Sequence, residues 1–217
     1  MSDTTKYMVT AASGQLGALV IDALLALVPS AEIGAMVRRE EAAEPLRGKG
    51  ITVRIGDYTD TAAMTEAFSG VERLLLISSN EIGQRAAQHR NAIAAASAAG
   101  VGFVAYTSIL RAPESPLEVL AGEHRETEVA LAASGLPHAL LRNGWYTENY
   151  TMGAAGSAER GAMIGAAAEG RISSAARVDY AEAAAVVLTG AIPEAGAIYE
   201  LAGDEAYRLP TFAAAVA

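Results

Sequence analysis

The sequence has no cysteine, and only two of its 217 residues are lysine. Without cysteine there is no disulfide, no thiolate nucleophile and no Cys-ligated metal. The two lysines, Lys6 and Lys49, lie early in the chain, and neither has a tyrosine four residues before it. A Tyr/Lys proton relay, which alcohol–ketone interconversion would need, is therefore missing. Histidine is scarce too. His124 and Glu128 share a helical face, but no third ligand accompanies them, so a metal site is not expected. His89 and His138 read as surface or core histidines. Glu123, Glu126 and Glu128 read as a solvated helix face. No G-x-S-x-G elbow marks a serine hydrolase. Positive charge is in short supply: the net charge is −9 and the pI about 4.9, which argues against a nucleic-acid partner. Long apolar runs are absent as well. Leu16 to Val28 is broken by Asp22 and is shorter than the roughly 20 residues that span a bilayer. Met1 to Lys6 carries no apolar signal-peptide core. The expectation is a cytoplasmic protein with neither membrane nor nucleic-acid partner. Homo-oligomerisation is left open.

What is present is an alternation. Tyr7 to Val9 reads as a strand and Leu16 to Val28 as a helix. Glu32 to Val37 and Ile51 to Ile55 read as strands, with a helical piece over Glu40 to Leu46 between them. A helix capped by Thr59 or Asp60 runs to Phe68. Val71 to Ile77 is a nearly continuous apolar strand, which suggests burial on both faces of a parallel sheet. Gln84 to Ala99 and Leu117 to Ala133 read as helices, and Val101 to Tyr106 and His138 to Leu141 as strands. Tyr180 to Thr189 is helical, Ile198 to Leu201 a last strand, and Leu209 to Ala217 a further helix. Met152 to Gly170 is rich in Gly and Ala and gives no clear element. Strands alternating with helices predict an α/β fold with a doubly wound parallel sheet. Residues 1–142 are expected to form a nucleotide-binding domain and 143–217 the substrate-side segments.

Ligands of such sheets sit beyond the carboxyl ends of the strands. The first strand is followed by Ala11, Ala12, Ser13, Gly14, Gln15, Leu16 and Gly17, a turn suited to a diphosphate at a helix N-terminus. Only two of the three fingerprint glycines are there; Ala11 stands in the first slot. Read alone, the stretch is either a nucleotide site or an ordinary tight turn. Arg38 follows about twenty residues on, where an acidic residue would bind a ribose hydroxyl and an arginine a 2′-phosphate. The plainer alternative is a solvated arginine, and Arg39 stands beside it. Asp57 either meets the adenine or caps its turn. Ser78, Ser79 and Asn80 either line the cofactor or form a polar turn. Asn143, Gly144, Trp145 and Tyr146 offer flat aromatic faces beside a glycine that would let backbone approach a ligand. Alternatively, Trp145 anchors a loop.

Together these residues resemble the NmrA-like, atypical short-chain dehydrogenases. The resemblance covers nearly the whole chain. It is carried by Thr10 to Gly17, Val37-Arg38, Gly56-Asp57-Tyr58, Leu74 to Ser79, Gly83-Gln84-Arg85, Gln88-His89-Arg90-Asn91, Ala105 to Ser108 and Leu141 to Tyr150. It implies a Rossmann fold, NADP(H) as cofactor and two-electron reduction of a quinone. A quinone takes hydride without an obligatory positioned acid, in keeping with the missing lysine. The resemblance also implies that Gly14, Gln15, Leu16 and Gly17 hold the diphosphate and Arg38 the 2′-phosphate. Ser78 and Ser79 would line the cofactor. Asn143, Gly144, Trp145, Tyr146, Thr147 and Glu148 would lie beside the nicotinamide and substrate. The family continues beyond the length of this chain, so an incomplete C-terminal substrate lobe is expected. The other reading the family offers is a redox-sensing regulator that binds NADP(H) without turnover.

Overall fold

The computed structural model describes residues 5–193 and 196–216. Successive residues of a strand point to opposite faces of its sheet, and both faces here are apolar. In β1 (Tyr7–Val9) Met8 enters one core and Val9 the other. In β4 (Arg73–Leu76) Leu74 and Leu76 join Met8, while Leu75 joins Val9. Val104 and Tyr106 of β5 (Phe103–Ile109) and Leu140 of β6 (His138–Asn143) continue the first set. Phe103, Ala105, Ala139 and Leu141 continue the second. With β2 (Ile33–Val37), β3 (Thr52–Ile55) and β8 (Ala197–Leu201), these strands form one seven-stranded sheet in the order β3-β2-β1-β4-β5-β6-β8. Every pairing in it is parallel.

One face is covered by α1 (Gln15–Leu25), α2 (Glu44–Arg47) and α8 (Arg177–Thr189). The other carries α3 (Thr61–Ala67), α4 (Arg85–Ala98) and α5 (Glu118–Ser134). This is the doubly wound α/β fold expected. Its strand order reverses between β1 and β4, which opens a crevice at their carboxyl ends. Apart from the sheet, β7 (Arg171–Ile172) pairs antiparallel with β9 (Tyr207–Arg208). The short helices α6 (Glu148–Thr151) and α7 (Ala154–Arg160) and the terminal α9 (Leu209–Val216) complete the order. Tyr150 of α6 and Tyr207 of β9 meet on the ring of Phe212 in α9.

Several expectations need correction. The helix expected over Glu40 to Leu46 is broken. A 3-10 turn covers Glu40–Ala42, and α2 restarts with Pro45 in its first turn, the one part of a helix that tolerates proline. The Gly/Ala-rich stretch after Met152 contains α7, closed by Gly161 in the left-handed conformation. Thr107, Ser108, Arg142 and Asn143 do not follow their strands but continue them, buried. Glu128 is also buried rather than solvated, and Glu123 pairs with buried Arg85; only Glu126 is exposed. Ala217 of the last expected helix lies outside the described residues.

The buried charges satisfy one another. Glu128 accepts from both Nε and Nη2 of Arg142, at 3.0 and 2.7 Å, and from the Ser108 hydroxyl at 2.5 Å. Arg142 Nη1 donates to Glu200 at 2.8 Å. These two carboxylates raise the Arg142 pKa, Glu128 most strongly. The network joins α5, β5, β6 and β8.

Candidate functional site

The crevice between β1 and β4 is a cleft of about 630 Å³. Its floor is tied together by Thr10. The Thr10 hydroxyl accepts from the Ile77 amide at 2.9 Å and donates to the Leu75 carbonyl at 3.1 Å. Tyr58 Oη lies 2.5 Å from it and donates to the Ile77 carbonyl at 2.7 Å. Burial raises the Tyr58 pKa, so its phenol stays protonated.

The turn above this floor packs tightly. Ser13, Gly14, Gln15, Leu16 and Gly17 line the cleft, and Ala12 is buried in the core beneath. Gly14 is the N-cap of α1 and offers no side chain to the first-turn amides, which leaves them for an anionic ligand. A Cβ on Gly17 would lie 2.4 Å from the Ala11 carbonyl oxygen and 2.7 Å from Ala12 Cα. Ala11, in the first glycine slot, sits at φ 48°, in the left-handed region. The hydrogen bond from the Gly14 amide to the Ala11 carbonyl closes the turn at 2.9 Å. An L-residue there costs about 1 kcal/mol or more relative to glycine. Ala11→Gly should therefore raise the melting temperature by about 2–4 °C, readable by calorimetry. An unchanged or lower midpoint would mean that the turn is not strained.

Arg38 reaches the cleft from the end of β2, where its Nη1 pairs with Glu81 Oε1 at 2.9 Å. Gln88 holds the other carboxylate oxygen of Glu81 at 2.8 Å. Asp57 lines the cleft but spends one oxygen on Thr59, accepting from its amide and hydroxyl at 2.8 and 2.6 Å. This turn bonding holds its carboxyl below the usual range. Ser78, Ser79 and Asn80 also line the cleft.

His89 fastens this last segment. Its Nε2 accepts from the Ser79 amide at 2.9 Å, so its proton sits on Nδ1, which faces Thr127 Oγ1 at 2.9 Å. Burial, reinforced by His124 and Arg85, pushes the His89 pKa down to about 3 and keeps the ring neutral. Arg85 Nε donates to the Ser79 carbonyl from the other side. The histidine is thus a core residue that fixes a cleft loop.

The segment after β6 divides. Tyr146 lines the cleft, as do Asn149, which lies within the Leu141 to Tyr150 segment read from the sequence, and Arg177, which the sequence had not singled out. The rest is not brought there. Asn143 ends β6, its Nδ2 donating to Tyr146 Oη at 3.4 Å. Gly144 is needed by the sheet, because a Cβ would lie 2.9 Å from the Leu201 carbonyl of β8. The Trp145 ring is partly exposed, and its carbonyl accepts from the Ala175 amide. Thr147 bonds Ser174, and both Glu148 oxygens accept the Arg177 amide at the start of α8. Among the described residues, no cluster of His, Cys, Asp or Glu is placed to hold a metal, and no helix is long and apolar enough to cross a membrane.

A glycine turn at a helix N-terminus, opened at the reversal of a parallel sheet, defines a dinucleotide-binding fold. The family model described as NAD(P)H-binding matches residues 11–189. The chain belongs to this NAD(P)H-binding family, within the NmrA-like, atypical short-chain dehydrogenases. It is 57% identical over 206 residues to quinone oxidoreductase 2 of Escherichia coli K12, covering 95% of this chain and 71% of that one. The structure of the E. coli NADPH-dependent quinone oxidoreductase complexed with NADPH superposes with a TM-score of 0.93 at 55% identity, over 97% of this chain and 74% of that one. Citrobacter sp. triphenylmethane reductase complexed with NADP(H) gives 0.89 at 39%, over 93% and 71%.

Proposed function

We propose that this protein is a cytoplasmic NADPH-dependent reductase that passes hydride directly to a quinone, without a Tyr/Lys relay. The observation that carries this is the cleft itself: a glycine turn with free helix amides, Arg38 at the end of β2, and Tyr146 at the opposite side. The 57% identity to a quinone oxidoreductase supplies the acceptor class. Residues 1–142 hold the cofactor, and 143–217 supply the substrate side through Tyr146. Bound cofactor supplies the hydride; the chain orients it and shields it from water.

Two measurements test this. NADPH oxidation should accelerate with benzoquinones and naphthoquinones. In the same assay Tyr146→Phe should keep its kcat within about threefold, whereas loss of an obligatory acid would lower it by about a hundredfold or more. Binding without any quinone turnover would instead favour the redox-sensing reading. For cofactor choice, Arg38→Ala should weaken NADPH by about 1.5–3 kcal/mol, roughly ten- to hundredfold, with little change for NADH. The 2′-phosphate has to take the guanidinium from Glu81, so the measured loss lies toward the lower end. Equal losses for both nucleotides, by fluorescence titration, would remove Arg38 from this role.

A further inference from the structure

Arg177 is a buried cation with no anion. Its side chain lines the cleft and the residue is only 8% exposed. Among the described residues no carboxylate forms an ion pair with it. Glu148 turns both oxygens to the backbone amide of Arg177. The guanidinium instead lies 4.8 Å over the ring of Tyr146. Removing a charge from water without a partner is costly, and proteins avoid it unless a ligand completes the pair. Every other well-buried arginine here is paired: Arg85 with Glu123, and Arg142 with Glu128 and Glu200. The exception faces the cleft.

We infer that Arg177 is a catalytic residue whose guanidinium holds the oxyanion that forms as the quinone is reduced. The inference rests on the proposed quinone reduction and names the group that carries its charge. The quinone carbonyl system gains a hydride, two electrons and one proton, from the reduced nicotinamide. The quinone becomes a hydroquinone monoanion, the cofactor is oxidised, and one solvent proton completes the hydroquinone. The product differs from the substrate at the site by one negative charge. A fixed cation stabilises that charge only as it develops, which lowers the barrier rather than tightening the ground state. Stacking on Tyr146 fixes the guanidinium plane in advance and restricts its motion. A chain without a cleft lysine thus keeps a positive charge there on a planar guanidinium.

The test compares wild type, Arg177→Met and Arg177→Lys. First, NADPH affinity is measured by fluorescence titration; it should stay within threefold in both variants, which also shows that they fold. Second, kcat is measured across quinones of differing electron demand. Arg177→Met should lose about a hundredfold, the scale of removing one oxyanion donor. The loss should be greatest with electron-rich quinones, whose anions need most help, and Arg177→Lys should recover part of it. Third, an acidic hydroxynaphthoquinone, anionic at neutral pH, should bind NADP⁺-loaded Arg177→Met at least tenfold more weakly than loaded wild type. An NADPH affinity reduced tenfold or more with kcat unchanged would assign Arg177 to the cofactor and overturn the inference. So would a kcat loss independent of the quinone, together with unchanged anion binding. If wild type reduces no quinone, the proposed function fails, not the role of Arg177 in anion binding, which the third arm measures separately.

Discussion

Gly17→Ala is expected to lower NADPH affinity by about a hundredfold while removing about 3 kcal/mol or more of stability. The new methyl would fall 2.4 Å from the Ala11 carbonyl oxygen and 2.7 Å from Ala12 Cα. Both are backbone atoms and neither can swing aside. Either α1 moves outward or the turn is pushed over, and each displaces the first-turn amides from their place above Thr10. Gly14→Ala supplies the contrast. Its Cβ would meet the same Ala11 oxygen at 3.1 Å, a gap closed by a shift of a few tenths of an ångström. Urea denaturation and NADPH titration should therefore rank wild type above Gly14→Ala and Gly14→Ala well above Gly17→Ala. Equal behaviour of the two variants would show that close packing of α1 is not what fixes the turn.

Glu128→Ala should be the most destabilising single change away from the cleft, by about 3 kcal/mol, the lower part of the range for stranding one member of a buried ion pair. It strips Arg142 of a two-point partner and leaves the Ser108 hydroxyl without its acceptor. Glu200, more exposed, still holds one Arg142 nitrogen, which keeps the loss from the top of the range. The double variant Glu128→Leu/Arg142→Met should regain most of it, because an apolar pair of similar volume needs no partner. Urea unfolding of all three proteins decides the matter. A double variant no better than Glu128→Ala would mean that the charges are needed for more than each other's neutralisation.

The sheet was legible because its signal is apolar alternation. Leu74, Leu75 and Leu76 in a row can only be a strand buried on both faces, and they are. The cleft was legible where the chain turns at strand ends: Ser13 to Gly17, Arg38, Asp57, Ser78, Ser79 and Tyr146 all line it. What escaped is polar and buried. His124, Thr127 and Glu128 lie on the inward side of α5. Glu128 read as part of a solvated face because hydrophobic periodicity is blind to polar groups that satisfy each other across the fold. The strands β5 and β6 were cut short for the same reason at Thr107, Ser108 and Arg142. Arg177 opens a helix that reads as alanine-rich, and nothing in its neighbours marks it as facing the cleft. Gly144 was legible as a special position but not for its cause, because the Leu201 carbonyl that excludes a side chain comes from a strand far along the chain.

Thr10 bears on how the cofactor arrives. Its hydroxyl is bonded to β4 and to the Tyr58 loop at once, so the cleft floor has few states to lose when a dinucleotide settles on it. The ordering entropy of that part of the site is spent at folding rather than at binding, which favours tight association from a modest contact area. The surface pair Arg38–Glu81 is the complementary element: an exposed contact joining the chain after β2 to the chain after β4, on either side of β1. The floor is thus tied by hydrogen bonds at several points, while the rim above it is held by a surface ion pair.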